Sequence, residues 1–273
     1  MPDPTASHAR PPGDPRDPGD RGANARLVGT RFSDVRWFAE IDSTNRYLLD
    51  EAARGAVEGV VAVADSQSAG RGRLGREWQS PRDAALLASV LLRPALAIEH
   101  VPLLVTAAAL AAADAVEHLA GIAGRLKWPN DLIVRERKLA GVLAEAIPGQ
   151  AVVVGMGLNV HWDVVPPELD KIATACNLES DVAVDRVDLL VEWLMRYDAR
   201  IGALATLDGR ERLRADAVAR SATLGRRVRV ELADRVVEGV ATDLTELGHL
   251  SVARDDGTIE TVVTGDVVHA RPT

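Results

Sequence analysis

Cysteine is nearly absent: Cys176 stands alone in 273 residues. A disulfide framework and a cysteine-based zinc site are therefore excluded, and a reducing cytoplasm is the expected setting. The six histidines, His8, His100, His118, His161, His249 and His269, are scattered, and none makes a metal-spaced pair such as H-E-x-x-H. Aromatics supply only 3% of the chain, so the core must be built from Ala, Val and Leu. Excess positive charge is missing as well. With 32 Lys and Arg against 40 Asp and Glu, the formal charge is -8. A general nucleic-acid binder needs net basic surface, so that class is excluded, although local basic clusters can still grip small anions. The opening "MPDPTASHARPPGDPRDPGDRGAN" has no apolar run and is no signal peptide. The longest apolar stretch, "VPLLVTAAALAAADAV", is interrupted by Thr106 and Asp114 and is too short and Ala-rich to favour a membrane span.

What is present falls into three segments. Residues 1–24, rich in Pro, Gly, Asp and Arg, cannot bury enough surface to offset the entropy of ordering and read as a disordered tail. Residues 25–220 carry the periodic patterns of a catalytic domain. "WFAEIDSTNRYLLDEAARG" reads as strand, turn and helix, with Ser43 or Thr44 as N-cap and Gly55 at the end. "GVVAVADSQ" and "AALLASVLLRP" read as strands, residues 101–120 as a helix, and "GRLKWPNDLIVRERKLAGVLAEA" as three strands joined by short turns. "AVVVGMGLNVHW" adds a strand, residues 161–180 a loop, and residues 185 to about 219 helical spacing. Residues 221–273 alternate with period two between Gly-containing turns, the mark of a small β unit of SH3-like barrel size. The strand connections are mostly too short for parallel crossovers. The expected fold class is therefore α+β: a mixed, largely antiparallel sheet with helices on one face, followed by the SH3-like unit.

Gly70, Gly72 and Gly75 in "AGRGRLGR" satisfy G-x-G-x-x-G. A dinucleotide fold needs a helix directly afterwards and an acidic residue about 20 positions on. Here Pro81 and a β-like run follow, and position 95 is Ala. A kinase would also need H-R-D and D-F-G, and neither string occurs. Glycines that allow close backbone approach, interleaved with Arg71, Arg73 and Arg76, instead describe an anion-gripping loop, expected to be mobile when empty. The bland alternative, a solvated basic turn, does not explain three glycines in six positions. Three further stretches stay open on their own residues. "DSTN" is a polar group at a helix start or a plain N-cap. "KWPND" is a site at strand ends or an ordinary turn. Lys138 in "RERKLAG" is a site lysine or a snorkelling surface residue.

These stretches occur together and in order, followed by "GMGLN". In that combination the chain resembles the biotin–protein ligases, over residues of about 37 to 270. The resemblance implies a fold related to class II aminoacyl-tRNA synthetases and lipoate ligases. It implies ATP and biotin as substrates, Mg2+ as their companion, and biotinyl-5′-AMP as intermediate. The acceptor is a lysine on the biotin carboxyl carrier domain of an acyl-CoA carboxylase, such as acetyl-CoA carboxylase. By resemblance, Ser43, Thr44, Asn45, Gln67 and Arg73 sit at the biotin head group, and Gly70, Arg71 and Gly72 belong to the loop that covers it. Gly141 and Leu143 border the biotin tail. Lys138 contacts the reacting carboxylate and phosphate, which makes Lys138, Arg73 and Asp131 the candidate catalytic residues. Arg76, Trp78, Lys127, Asn130, Asp131 and Asn159 fall on the nucleotide side. No metal ligands are assigned.

Some relatives carry an N-terminal DNA-binding domain of about 60 residues, whereas about 36 residues precede the first strand here. The expectation is a monofunctional ligase without DNA binding and without membrane association, cytoplasmic, and monomeric or weakly dimeric. A lipoate or octanoate ligase of the same fold and a non-catalytic biotin sensor are the competing readings. The polar "DSTN" end with the Arg/Gly loop argues against the first, and the presence of Lys138 against the second.

Overall fold

The computed structural model describes residues 19–165, 169–232, 234–263 and 265–269. Along the chain come α1 (Ala23–Arg26), β1 (Asp34–Phe38), α2 (Thr44–Ala53), β2 (Val60–Ala64), β3 (Ala85–Leu92) and α3 (Val101–Ala120). A run of strands follows: β4 (Arg125–Lys127), β5 (Asp131–Val134), β6 (Arg137–Ile147) and β7 (Ala151–Asn159). Then come α4 (Cys176–Glu179), α5 (Arg186–Ala203) and α6 (Leu207–Ala219). The chain closes with β8 (Arg227–Glu231), β9 (Val236–Leu244), β10 (Leu250–Ala253), β11 (Ile259–Val262) and β12 (Asp266–His269).

The first seven strands form one sheet in the order β1-β2-β3-β7-β6-β5-β4. Only β1 and β2 are parallel, because α2 joins them as a crossover; every other pair is antiparallel. The mixed, largely antiparallel sheet is thus as expected. The expectation of helices on one face alone needs correction. Leu86, Ala88, Val90 and Leu92 of β3, with Val152, Val154 and Leu158 of β7, pack into the core shared with α3 and α5. Leu91 and Val153 face the other way, against Leu48 and Ala52 of α2. Strand side chains alternate faces, so the same strands serve α3 on one side and α2 on the other.

By length and composition α3 could cross a membrane, with 20 residues and a mean hydropathy of 1.5. Here it is a core helix, and most of its side chains are buried. Its alanines let α5 approach closely. Trp193 Nε1 donates to Ala108 O at 3.1 Å, and Tyr197 Oη to Leu104 O at 3.1 Å. Gly121, at φ 66°, stops α3. The helical spacing after residue 185 resolves into two helices, α5 and α6. Asp185 caps α5, and Thr206 caps α6 by accepting from Gly209 N at 3.1 Å.

Of the expected tail, residues 1–18 lie outside the described residues. Residues 19–24 are packed rather than loose. Trp37 N donates to Gly19 O at 2.6 Å, Val35 N to Asn24 Oδ1 at 2.7 Å, and Ala23 is fully buried. Arg21 and Arg186 flank the Trp37 ring at 4.4 and 5.5 Å. Both guanidinium groups reach the buried Asp65, which also accepts from Trp37 Nε1 at 2.8 Å.

The C-terminal strands form a five-stranded antiparallel sheet, β11-β10-β9-β8-β12, with Val228, Val230, Val237, Ala241 and Val252 turned inward. It sits against the KWPND turn. Trp128 N donates to Thr223 Oγ1 and Trp128 Nε1 to Gly248 O, both at 3.0 Å. Arg226 pairs with Glu136 at 2.7 Å and Arg214 with Asp243 at 2.5 Å.

Candidate active site

The face of the large sheet away from α3 carries three cross-strand rows. Pairing sets Leu87, Gly157 and Gly141 side by side, then Ser89, Gly155 and Leu143, then Leu91, Val153 and Glu145. Glycine at the centre of the first two rows leaves space where side chains would stand. That space is a cleft of about 330 Å³, walled by the start of α2, the Gly/Arg segment and the KWPND turn.

One end of the cleft is polar. Ser43 caps α2, and Ser43, Thr44 and Asn45 are all nearly fully buried. Thr44 donates to Gln67 Oε1 through its backbone N at 2.8 Å and its hydroxyl at 3.0 Å. Ser89 Oγ lies 2.7 Å from Thr44 Oγ1 and 2.6 Å from Asn45 Oδ1. Asn45 Nδ2 donates to Glu145 Oε2 at 2.8 Å. A Cβ on Gly155 would stand 2.1 Å from Asn45 Oδ1, so this network needs glycine beneath it.

The Gly/Arg segment is a small hairpin. Trp78 N donates to Gly70 O at 3.0 Å and Gly72 N to Arg76 O at 2.6 Å. Arg73–Gly75 make a tight turn with Leu74 and Gly75 at positive φ. The arginines avoid one another by fanning apart. Arg71 pairs with Glu145 at 3.4 Å. Arg73 donates to Asn130 Oδ1 at 3.2 Å and to Gly265 O of the C-terminal unit at 3.3 Å. Arg76 Nε turns back to Arg73 O at 3.4 Å.

Trp78 lies across the row of Gly157 and Gly141. A Cβ on Gly157 would stand 2.5 Å from Trp78 Cε2, and one on Gly141 3.3 Å from Cζ3. The Trp78 Nε1 is buried without a hydrogen-bond partner among the described residues, an orphaned donor lining the cleft. Lys138 Nζ stands 5.4 Å from the Trp78 ring centre and 2.7 Å from Asp131 Oδ1. Asn130 is locked by Nδ2 donating to Val142 O and by Val142 N donating to Asn130 O, both at 2.9 Å. Lys127, Asn130, Asp131 and Lys138 thus converge at the end opposite the polar network.

Among the described residues no three His, Cys, Asp or Glu side chains gather into a metal cage. Asp131 and Asn130 bring side-chain oxygens to this end. Such a sparse set fits a magnesium ion carried on substrate phosphates, the usual way Mg2+ is held. Burial pushes the Cys176 thiol up to about 12, so it is no nucleophile.

Of the expected site residues, most line the cleft, and two do not. Gly70 forms the hairpin stem, where a Cβ would meet Trp78 O at 2.4 Å. Asn159, expected at the nucleotide, is buried at the end of β7 and donates to Thr174 O at 2.9 Å, tying down the segment beside β6. The structure adds Ser89, Glu145, Gly155 and Gly157, which sequence reasoning passed over. Ser89 was visible as the one hydroxyl in "ALLASVLL", and Glu145 shares the period of Gly141 and Leu143.

Residues 37–160 match the biotin/lipoate A/B protein ligase family, and residues 223–270 match the biotin protein ligase C terminal domain. The biotin–[acetyl-CoA-carboxylase] ligase of Mycobacterium tuberculosis is 39% identical over 96% of this chain and 97% of its own length. Among solved structures, the biotin protein ligase of Aquifex aeolicus in complex with biotin and ATP aligns with a TM-score of 0.77 at 29% identity. That alignment covers 88% of this chain and 100% of that one. The Leishmania major enzyme with biotinyl-5-AMP aligns with a TM-score of 0.61 at 26% identity, over 84% and 98%.

Proposed function

Because the chain belongs to the biotin protein ligases, we propose that its cleft activates biotin with ATP and transfers it to a lysine of a carboxylase carrier domain. The observation that carries this reading is the polarity of the cleft. A buried hydroxyl-and-amide network fills one end and a group of cations the other, with a glycine floor between them. A ureido ring suits the first end, a carboxylate meeting a triphosphate the second.

In the first step a biotin carboxylate oxygen attacks the α-phosphorus of ATP. The bond to the β-phosphate bridging oxygen breaks, and pyrophosphate leaves. The carboxylate is ionised at neutral pH, so the work is positioning and charge stabilisation. Lys138, held 2.7 Å from Asp131 in the free protein, turns to the developing negative charge and supplies the cation that stabilises it. Arg73 and Arg76 close the anion's other side, and Trp78 supplies its buried N–H. Magnesium would screen the phosphates beside Asp131. In the second step the carrier amine attacks the acyl carbon, the bond to phosphate oxygen breaks, and AMP leaves. Asp131, released by Lys138, accepts the amine's proton.

We further propose a cytoplasmic, monofunctional ligase, monomeric or weakly dimeric, that does not bind DNA. The net charge of -8 supports the last point. The test is transfer to a purified biotin carboxyl carrier domain with ATP and either biotin or lipoate. Biotin transfer alone is expected; lipoate transfer without biotin transfer would overturn the reading. A gel shift on biotin-operon DNA in the presence of biotinyl-AMP would contradict the absence of repressor activity.

A further inference from the structure

We propose that Glu145 is the positioning residue that fixes the direction of the hydrogen bonds offered to the biotin head group. The inference rests on the reading of the cleft just given. Glu145 sits in the third cross-strand row, paired with Val153, on the cleft face of β6. Its side chain is 26% exposed, and its two oxygens serve two different elements. Oε2 accepts from Asn45 Nδ2 at 2.8 Å, and Oε1 pairs with Arg71 of the hairpin at 3.4 Å.

An ionised carboxylate only accepts hydrogen bonds. Asn45 must therefore turn its NH2 towards Glu145, which leaves Oδ1 facing Ser89 at 2.6 Å. That oxygen also only accepts, so the single proton of Ser89 is committed to it. Ser89 then has no proton left for Thr44, and the single hydroxyl proton of Thr44 faces two acceptors, Ser89 Oγ at 2.7 Å and Gln67 Oε1 at 3.0 Å. Thr44 N donates to the same Gln67 oxygen at 2.8 Å, so the Gln67 amide presents its NH2 away from this contact. One carboxylate thus sets the polarity of Asn45 and then of Ser89, beside a Thr44 hydroxyl that is left as a donor to either neighbour. A ureido ring, with one acceptor and two donors, needs a wall of fixed polarity. Without Glu145 the Asn45 amide has no reason to hold one orientation, and a buried NH2 loses its acceptor. The pair with Arg71 adds little by itself, being half exposed, but it ties the hairpin to the same carboxylate.

The test compares wild type with Glu145→Ala and the isosteric Glu145→Gln in biotin-dependent ATP–pyrophosphate exchange. Absence of biotin-dependent exchange in the wild type would sink the function itself, whatever the variants do. With wild type active, Glu145→Ala is expected to raise KM for biotin about tenfold, the lower part of the range for an unsatisfied buried donor. KM for ATP should stay within about twofold, and biotinyl-AMP should dissociate faster by a factor similar to the biotin effect. Glu145→Gln keeps one acceptor and should fall between wild type and Glu145→Ala. If Glu145→Ala does not fold, the same split in Glu145→Gln decides. An unchanged KM for biotin, or equal rises for both substrates, would overturn the proposal, because a loosened fold moves both.

Discussion

Gly155 and Gly157 lie two residues apart on one strand and one face, yet each supports a different wall of the cleft. A methyl group on Gly157 would stand 2.5 Å from Trp78 Cε2, 2.7 Å from Cζ2 and 2.9 Å from Cδ2. Carbon atoms settle at about 3.5–4.0 Å, so the indole must rise by roughly 1 Å. It is a rigid plane on a short hairpin and cannot escape by bending one torsion. A methyl group on Gly155 instead meets Asn45 Oδ1 at 2.1 Å and Ser89 Oγ at 3.0 Å. Overpacking of this kind costs about 1–3 kcal/mol. At about 1.4 kcal/mol per factor of ten, the losses are roughly 5- to 150-fold. Gly157→Ala should therefore raise KM for ATP by about tenfold or more and leave biotin less affected, while Gly155→Ala does the reverse. Gly141→Ala is the control. Its methyl meets the flexible end of Lys138 at 2.9 Å, which can shift, and encroaches on the indole far less, at 3.3 Å from Trp78 Cζ3, so its effect on KM for ATP should be smaller. Pyrophosphate exchange with each substrate varied in turn measures all three. Both strand variants will lose some stability, so the ratio of the two KM values is the quantity that matters. Equal effects on both substrates from Gly157→Ala would refute the division of the cleft.

Lys138→Ala should bind biotin nearly as wild type but lose about 10²–10³ in adenylation rate, the scale for one lost charge-stabilising donor; unchanged pyrophosphate release would refute its role. Burial works against ionisation of Asp65, but the Trp37 indole N–H, Arg186 and Arg21 outweigh it and hold its carboxyl below the ordinary value. The stability it contributes is present above the ordinary carboxylate range and disappears as pH falls through the lowered value. Asp65→Asn should cost about 3 kcal/mol at pH 7 in chemical denaturation, a gap that narrows in acid; a constant gap would refute the linkage. Cys176 should resist alkylation at pH 8 in the folded protein and react on unfolding, and rapid native labelling would contradict its burial.

Several elements could be read from the chain directly, each for a local reason. Twenty residues whose one proline, Pro102, falls in the first turn where it is tolerated, ended by Gly121, mark α3 with the ends the structure shows. A cap at Ser43 or Thr44 was readable, since a hydroxyl before a helical run has one habitual use, and the structure selects Ser43. The Gly/Arg segment was readable because its physics is short-range: glycine for approach, arginine for anions. What lay beyond reach was set by register. Whether Ser89 or Glu145 faces the cleft depends on which residue of β7 stands opposite, and one step of slippage reverses every face. The helices were expected on one face because alternation inside an all-apolar strand such as β3 leaves no mark in its hydrophobicity.

The partners of Asn159 and of the start of the chain were out of reach for a related reason. A polar residue at a strand end and a Gly/Pro/Arg-rich stretch look alike whether or not a distant partner exists. Thr174 and Trp37 are such partners, and only the folded chain brings them near. The sequence alone therefore determined the chemistry available to this protein: its short-range motifs, its charge and the glycines its backbone needs. The tertiary structure alone decided which of those groups share a wall, because strand register and packing are contacts between residues far apart in the chain.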